Sequence, residues 1–193
     1  MEVTDAIFTR RSVGKVKDSP VDKEKIETML EAATWAPNHH LTEPWKFFVL
    51  SGDGRIPLSR ALKDAAYHRV PEPDSDSGQQ RIERIAGKPF NAPTVIVVSL
   101  SPSDSEKAVY IEDVCAVAAA TQNMLLTAHG LGLGAMWRSG TIYDTKAVRD
   151  YFRLREDEEI LGLIFVGEPD MSKENVTRTP FNEKTTWVDS DDQ

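Results

Sequence analysis

Three short stretches carry side chains that could do chemistry. In "RRSVGK", Arg10, Arg11 and Ser12 stand side by side. Two guanidiniums and a hydroxyl can hold an anion through charge and directed hydrogen bonds; the plainer alternative is a solvated helix end. "APNHHLTEPW", Ala36 to Trp45, is a polar loop between prolines, where backbone amides, Asn38, His39 and Thr42 could touch a ligand. "WRSG", Trp137 to Gly140, puts an arginine and a serine at the end of an expected strand. They could bind an anion there, or the arginine could form a surface ion pair.

Other chemistries lack their residues. The histidines His39, His40, His68 and His129 do not have the spacing of a helical metal pair, and the single cysteine, Cys115, cannot build a zinc ribbon. There is no G-x-S-x-G elbow and no P-loop. "GLGLGAMW" satisfies a loose G-x-G-x-x-A pattern at Gly130, Gly132 and Ala135. A dinucleotide fingerprint must follow a strand and open a helix. These glycines follow an expected helix and lead into a strand, so they read as a helix exit with Gly130 at the cap. Cys115 falls at an apolar position of that helix and is expected to be a buried packing thiol.

The chain of 193 residues carries a net charge of −8, which makes nucleic acid or an anionic membrane surface an unlikely general partner. Any anion site must therefore be local. One cysteine excludes an internal disulfide and suits a reducing, cytoplasmic setting. The N-terminus lacks the apolar run of a secretory signal. The longest apolar run, "TVIVVSL", falls short of the ~20 residues that cross a bilayer.

These residues need elements to hold them. Helices are expected over Val3–Arg10, from a cap at Asp22 to before Pro37, over Arg55–Tyr67, over Gln79–Phe90, over Glu106–His129, and from a cap at Asp144 to Phe152. In the long fifth helix, Ile111, Val114, Cys115, Ala118, Leu125 and Leu126 read as the core face. "WKFFVLS" and "TVIVVSL" read as buried strands; "LGAMWRS" and "ILGLIFVGE" complete the set. "VPEPDSDSGQQ" reads as a mobile surface loop. No repeat or linker divides the chain, so residues 1–193 are expected to form one α/β (α+β) domain.

In combination and in order, "RRS", "AP-x-H-x4-PW-x-FFV" and "G-x-G-x-M-W-RSG" resemble the FMN-dependent nitroreductase family, in its compact NAD(P)H nitroreductase branch. The resemblance runs from Ala6 to Phe181 and is faint between Ala65 and Lys88. It implies a three-layer sandwich with a central, mainly antiparallel sheet flanked by helices. It also implies noncovalent FMN at the interface of a homodimer. The C-terminal extension, residues 169–193, would pack on the partner subunit.

By the same resemblance Arg10, Arg11 and Ser12 contact FMN, with phosphate and ring left undivided between the arginines. His39 reaches the partner's flavin, and Trp137, Arg138 and Ser139 form a second contact segment. Trp35 stands where this branch often has an FMN-contacting arginine; it can pack on the cofactor but cannot replace the charge. Arg178 could serve the phosphate as basic residues near the C-terminus do in larger members.

The implied reaction is a two-step (ping-pong) transfer, from NADH or NADPH to the flavin and then to a nitro compound, quinone or similar acceptor. The flavin carries the chemistry, so no catalytic side chain and no metal is expected. A flavin-binding sensor or store with little turnover is the alternative, kept open by Trp35.

Overall fold

The sheet is built on the most apolar run of the chain. In the computed structural model, which describes residues 1–172 and 176–188, β2 (Thr94–Leu100) is buried at every position. Side chains alternate along a strand, so both faces of β2 must be covered. It pairs antiparallel with β1 (Trp45–Ser51) on one side and β4 (Glu159–Gly167) on the other. β3 (Gly134–Arg138) lies antiparallel on the far side of β4, giving the order β1-β2-β4-β3.

Helices cover the two faces. On one, Ile26, Met29 and Ala33 of α2 (Lys23–Thr34) and Val117, Ala120 and Met124 of α5 (Tyr110–Gly130) pack against Ile96, Val98, Ile164 and Val166. On the other, Leu58 and Leu62 of α3 (Ile56–Tyr67) and Val148 and Phe152 of α6 (Lys146–Phe152) meet Val95, Val97, Leu163 and Phe165. Each fully buried side chain of this kind contributes about 1.5–3 kcal/mol. The result is the expected three-layer architecture. α1 (Val3–Thr9) has no buried residue, and α4 (Asp76–Ala86) packs beside α3.

Several local expectations are corrected. β1 is an edge strand with only Leu50 buried. α5 starts at Tyr110 and turns a different face inward: Asp113, Ala116, Val117, Ala120, Thr121, Met124, Leu125 and Ala128 are buried. Of the expected face only Leu125 is buried; Ile111 is 61% exposed and Cys115 is exposed, not a core thiol. The stretch read as a mobile loop becomes helical at Asp76, because Ser75 caps α4 by accepting from the Gly78 amide at 3.0 Å. That helix stops at Ala86, and Lys88–Asn91 forms a separate 3-10 turn. Thr145, not Asp144, takes the N-cap position of α6; Asp144 instead accepts from the Ile160 amide at 2.9 Å. After α5 the left-handed position is Gly132 at φ 75°, two residues beyond Gly130.

Two features fix the ends of the sheet. Next to β1, Glu158 is buried but fully engaged: Ser101 Oγ donates to it at 2.7 Å, the Arg155 amide at 2.8 Å and Lys46 Nζ at 3.3 Å. Beside β3, the chain after α1 runs along the sheet. The Val13 amide donates to the Ala135 carbonyl at 3.0 Å, and the Lys17 amide to the Glu168 carbonyl at 2.8 Å. Gly134 and Gly167 make that approach possible, since a β-carbon on either would lie 2.8 Å from Val13 or Val16.

Candidate functional site

That backbone pairing places "RRS" at the exit of α1, against the open side of β3. Arg10 and Arg11 line a cleft of about 430 Å³ with Thr9, Leu125, His129 and Ala135. The two arginines differ in what they do. Arg11 turns back on its own helix, and its Nη1 donates to the carbonyls of Phe8 and Arg10, each at 2.8 Å. It closes the C-terminal end of α1. Its Nε is buried without a partner, and its Nη2 makes no bond among the described residues, so donors remain. Arg10 makes no side-chain bond among the described residues. Burial, then Arg11, then Arg178 push its guanidinium below the usual range. Arg178 therefore joins Arg10 across the length of the chain, and the sequence had flagged it only as a possibility. Neither has a carboxylate within ion-pair distance among the described residues.

The sequence pattern gave no reason to choose His129, which shares this cleft. Thr9 Oγ1 already donates to the Asp5 carbonyl at 2.6 Å, so His129 Nε2, 2.8 Å away, must be the donor to the hydroxyl. Ser12 is exposed beside the arginines.

"WRSG" splits across the sheet. Trp137 shares the α5 side with Ala135, and its indole lies over Gly162, where a β-carbon would collide with it. Arg138 is on the opposite side, with its guanidinium carbon 5.1 Å from the Phe165 ring centroid. Ser139 is exposed at the strand end.

His39 sits elsewhere. It lines a shallow groove with Asn38, Ile111, Cys115 and Ala119, stacks on His40 at 3.8 Å, and bonds Glu112 Oε2 through Nδ1 at 2.8 Å. Thr42 Oγ1 donates to Asp113 Oδ1 at 2.8 Å, which ties the far side of the same loop to α5. His39 thus faces the start of α5, while the arginine cleft faces Leu125 and His129 near its end. At 1.5 Å per residue, those positions are roughly 20 Å apart. Within one chain His39 and Arg10 do not converge. Trp35, which follows α2, is 81% exposed and lines neither the arginine cleft nor the His39 groove.

The donor set around Arg10 suits one kind of ligand. Neighbouring cations with no ion-paired acid among the described residues, one lowered by burial, are stabilised by an anion rich in acceptors. A phosphate group fits. The profile of the Nitroreductase family matches residues 7–168. The chain belongs to the nitroreductase family. It is 33% identical to a Bacillus subtilis (strain 168) protein with the provisional name NAD(P)H nitroreductase YfhC, over 94% of this chain and 92% of that one. Its fold is similar to the crystal structure of a nitroreductase-like family protein from Bacillus cereus, with TM-score 0.84 and 29% identity over 98% and 97% of the two chains. It is also similar to a nitroreductase with bound FMN from Bacteroides fragilis, with TM-score 0.72 and 25% identity over 98% and 100%. Among the described residues of this nitroreductase family member, no helix is long and apolar enough to cross a membrane.

Proposed function

We propose that this nitroreductase family member is an FMN-dependent oxidoreductase, which takes hydride from NADH or NADPH and reduces nitro compounds, quinones or similar acceptors in two half-reactions. The observation that carries the reading is the cleft that Arg10 and Arg11 line, close enough to Arg178 for its charge to act on Arg10, with no ion-paired acid among the described residues. The names of the relatives support it: one is called an NAD(P)H nitroreductase and another holds FMN.

Arg10 and Arg178 would hold the FMN phosphate, with the Ser12 hydroxyl and the free Arg11 Nε as further donors. Trp137 and Ser139, at the end of the strand that pairs with this segment, would bound the site. When bound, FMN supplies reversible two-electron transfer between the nicotinamide and the acceptor. The chain supplies position, positive charge and cover from water.

The site is completed by a second copy. Phe8, Trp35, Leu41, Ile111 and Trp187 are exposed large apolar residues, more than a monomer's scattered surface. The face of α5 that bears Ile111 and Cys115 is apolar and uncovered. In a homodimer built on this face, His39 would reach the partner's cofactor, which resolves its distance from Arg10. We assign the whole chain to one domain whose extension, residues 169–193, packs on the partner; the part from 176 to 188 is exposed throughout.

The purified protein is expected to be yellow, with an oxidised-flavin spectrum that NADH or NADPH bleaches without oxygen, and to oxidise the nicotinamide steadily once a quinone or nitrofuran is added. Colourless protein that takes up no added FMN would sink the proposal. Bound flavin without turnover would leave only the sensor or store.

A further inference from the structure

The three residues of "RRS" are held from both ends. After them, the Val13 amide donates to the Ala135 carbonyl of β3 at 3.0 Å. Before them, Thr9 Oγ1 accepts from His129 Nε2 at 2.8 Å, while its own proton goes to the Asp5 carbonyl at 2.6 Å. The first anchor runs from backbone to backbone. The second depends on one imidazole, 120 residues further along the chain.

Little else fixes α1. It has seven residues, none of them buried, and none joins a core cluster. A helix that short does not hold itself together in water. Among the described residues, Thr9 to His129 is the one side-chain hydrogen bond from α1 to another helix or strand. Arg11 does not add one, since both its bonds return to the Phe8 and Arg10 carbonyls. His129, by contrast, stands on a fixed element. It lies in the last turn of α5, next to the fully buried Ala128, and its carbonyl accepts from the Gly132 amide at 3.1 Å.

The direction of Arg10 depends on this tie. Arg10 is the C-terminal cap of α1. Its amide still bonds the Ala6 carbonyl at 3.0 Å, while its ψ of 133° already sends the chain on in an extended line. Its side chain therefore leaves from the bend between helix and sheet edge, and it turns wherever α1 turns. With Thr9 fixed to α5 and Val13 to β3, that bend is fixed at the cleft that Thr9, Arg10 and His129 line together.

Resting on the oxidoreductase reading, we propose that His129 is a positioning residue for the FMN phosphate: its Nε2–H clamps α1 to α5 through Thr9 and so holds Arg10 at the cleft before the anion arrives. It needs no charge of its own, because the neutral Nε2–H tautomer makes the bond. The gain is preorganisation, since an unclamped α1 would have to be ordered at the expense of binding.

The test compares FMN titration, followed by flavin fluorescence, with amide exchange of the flavin-free protein. His129→Ala and Thr9→Val, the latter at an exposed position, should each weaken FMN binding about fivefold, the size of one neutral hydrogen bond. Each should also speed exchange of the Arg10 amide in the flavin-free protein. The double variant should lose no more than either single one. His129→Gln, whose side-chain amide can still donate to Thr9, should bind FMN within about twofold of wild type. Tm of the flavin-free protein should hold throughout, because α1 buries nothing in the core. Unchanged affinity in Thr9→Val beside a loss in His129→Ala overturns the proposal, since His129 would then touch the anion directly. Losses that add in the double variant overturn it too. So does a His129→Gln as weak as His129→Ala with Tm lowered in both, which would make His129 merely structural. Protein that takes up no FMN in any form defeats the oxidoreductase reading instead. The Arg10 amide still decides on the clamp in that case, and exchange unchanged by either single variant overturns it.

Discussion

The two sides of the sheet treat buried charge in opposite ways. Beside β1, Glu158 is almost fully buried and has a partner on every side: a hydroxyl, an amide and an ammonium. Beside β3, Arg10 is partly buried with Arg11 and Arg178 acting on it, and it has no ion-paired acid among the described residues. The first charge is satisfied by the fold. The second costs the fold something that only a ligand can return. A buried ion with complete partners therefore marks architecture, and one with none marks a site.

Breaking the satisfied side should have the largest effect. Glu158→Ala leaves Ser101, the Arg155 amide and Lys46 without their acceptor, and should cost about 3 kcal/mol, lowering Tm by roughly 6–12 °C in a domain this size. Burial alone would raise the Glu158 carboxyl, but the bonds from Ser101, Arg155 and Lys46 bring it below its ordinary value of 4.5. Its contribution is therefore complete above that value and is lost as pH falls through the lower folded one. The stability gap between wild type and Glu158→Gln should be full near neutral pH and shrink once the pH drops below about 4.5. A gap that is flat down to full protonation would show that the carboxylate is not what the bonds select.

The unsatisfied side should break differently. Arg10→Ala should weaken FMN binding about 30- to 100-fold, while the apo protein's Tm stays level or rises, because a poorly solvated charge has been removed. Fluorescence titration with FMN and a thermal scan of the apo form read the two halves. A large fall in apo Tm would make Arg10 structural and erase the contrast with Glu158.

How much of this was legible in the sequence depends on whether the signal is local. β2 is seven apolar-compatible residues in a row, and its burial on both faces could be read directly. The inward face of α5 could not. The helix is apolar nearly all round, so periodicity had no polar stripe to work against. Ile111 and Cys115 were assigned to the core, while Asp113 and Thr121 actually lie there. Each is held by a bond of its own, from Thr42 to Asp113 and from Thr121 to the Val117 carbonyl. The arginines were visible as a pair, but not which of them bends back onto α1, because that depends on where the helix ends.

A smaller effect sharpens how the site's strand is held. Gly162→Ala puts a methyl into the Trp137 indole and should cost about 1–3 kcal/mol, with a change in tryptophan fluorescence. In a Trp137→Ala background the same change should cost less but still something, because the added β-carbon stays 2.8 Å from the Arg138 carbonyl oxygen, so the double-mutant cycle should return a coupling that is only part of the single-mutant loss. An additive pair would mean that Gly162 is required by the backbone of β4 rather than by the ring above it.

The smallest expected effect separates neighbours. Arg11 has the same charge as Arg10 and stands next to it, so simple electrostatics would have the two contribute alike to anion binding. The structure gives them different work. Two bonds from Arg11 Nη1 close the carbonyl end of α1 and hold the side chain back on its own helix, away from a free reach toward a ligand. Arg11→Ala should therefore cost about 1 kcal/mol of stability, concentrated in α1, where amide exchange would report the fraying. FMN affinity should fall less than about fivefold, well short of the loss in Arg10→Ala. If the two variants lose affinity equally, charge alone binds the anion, and the side-chain geometry that divides the pair is irrelevant to it.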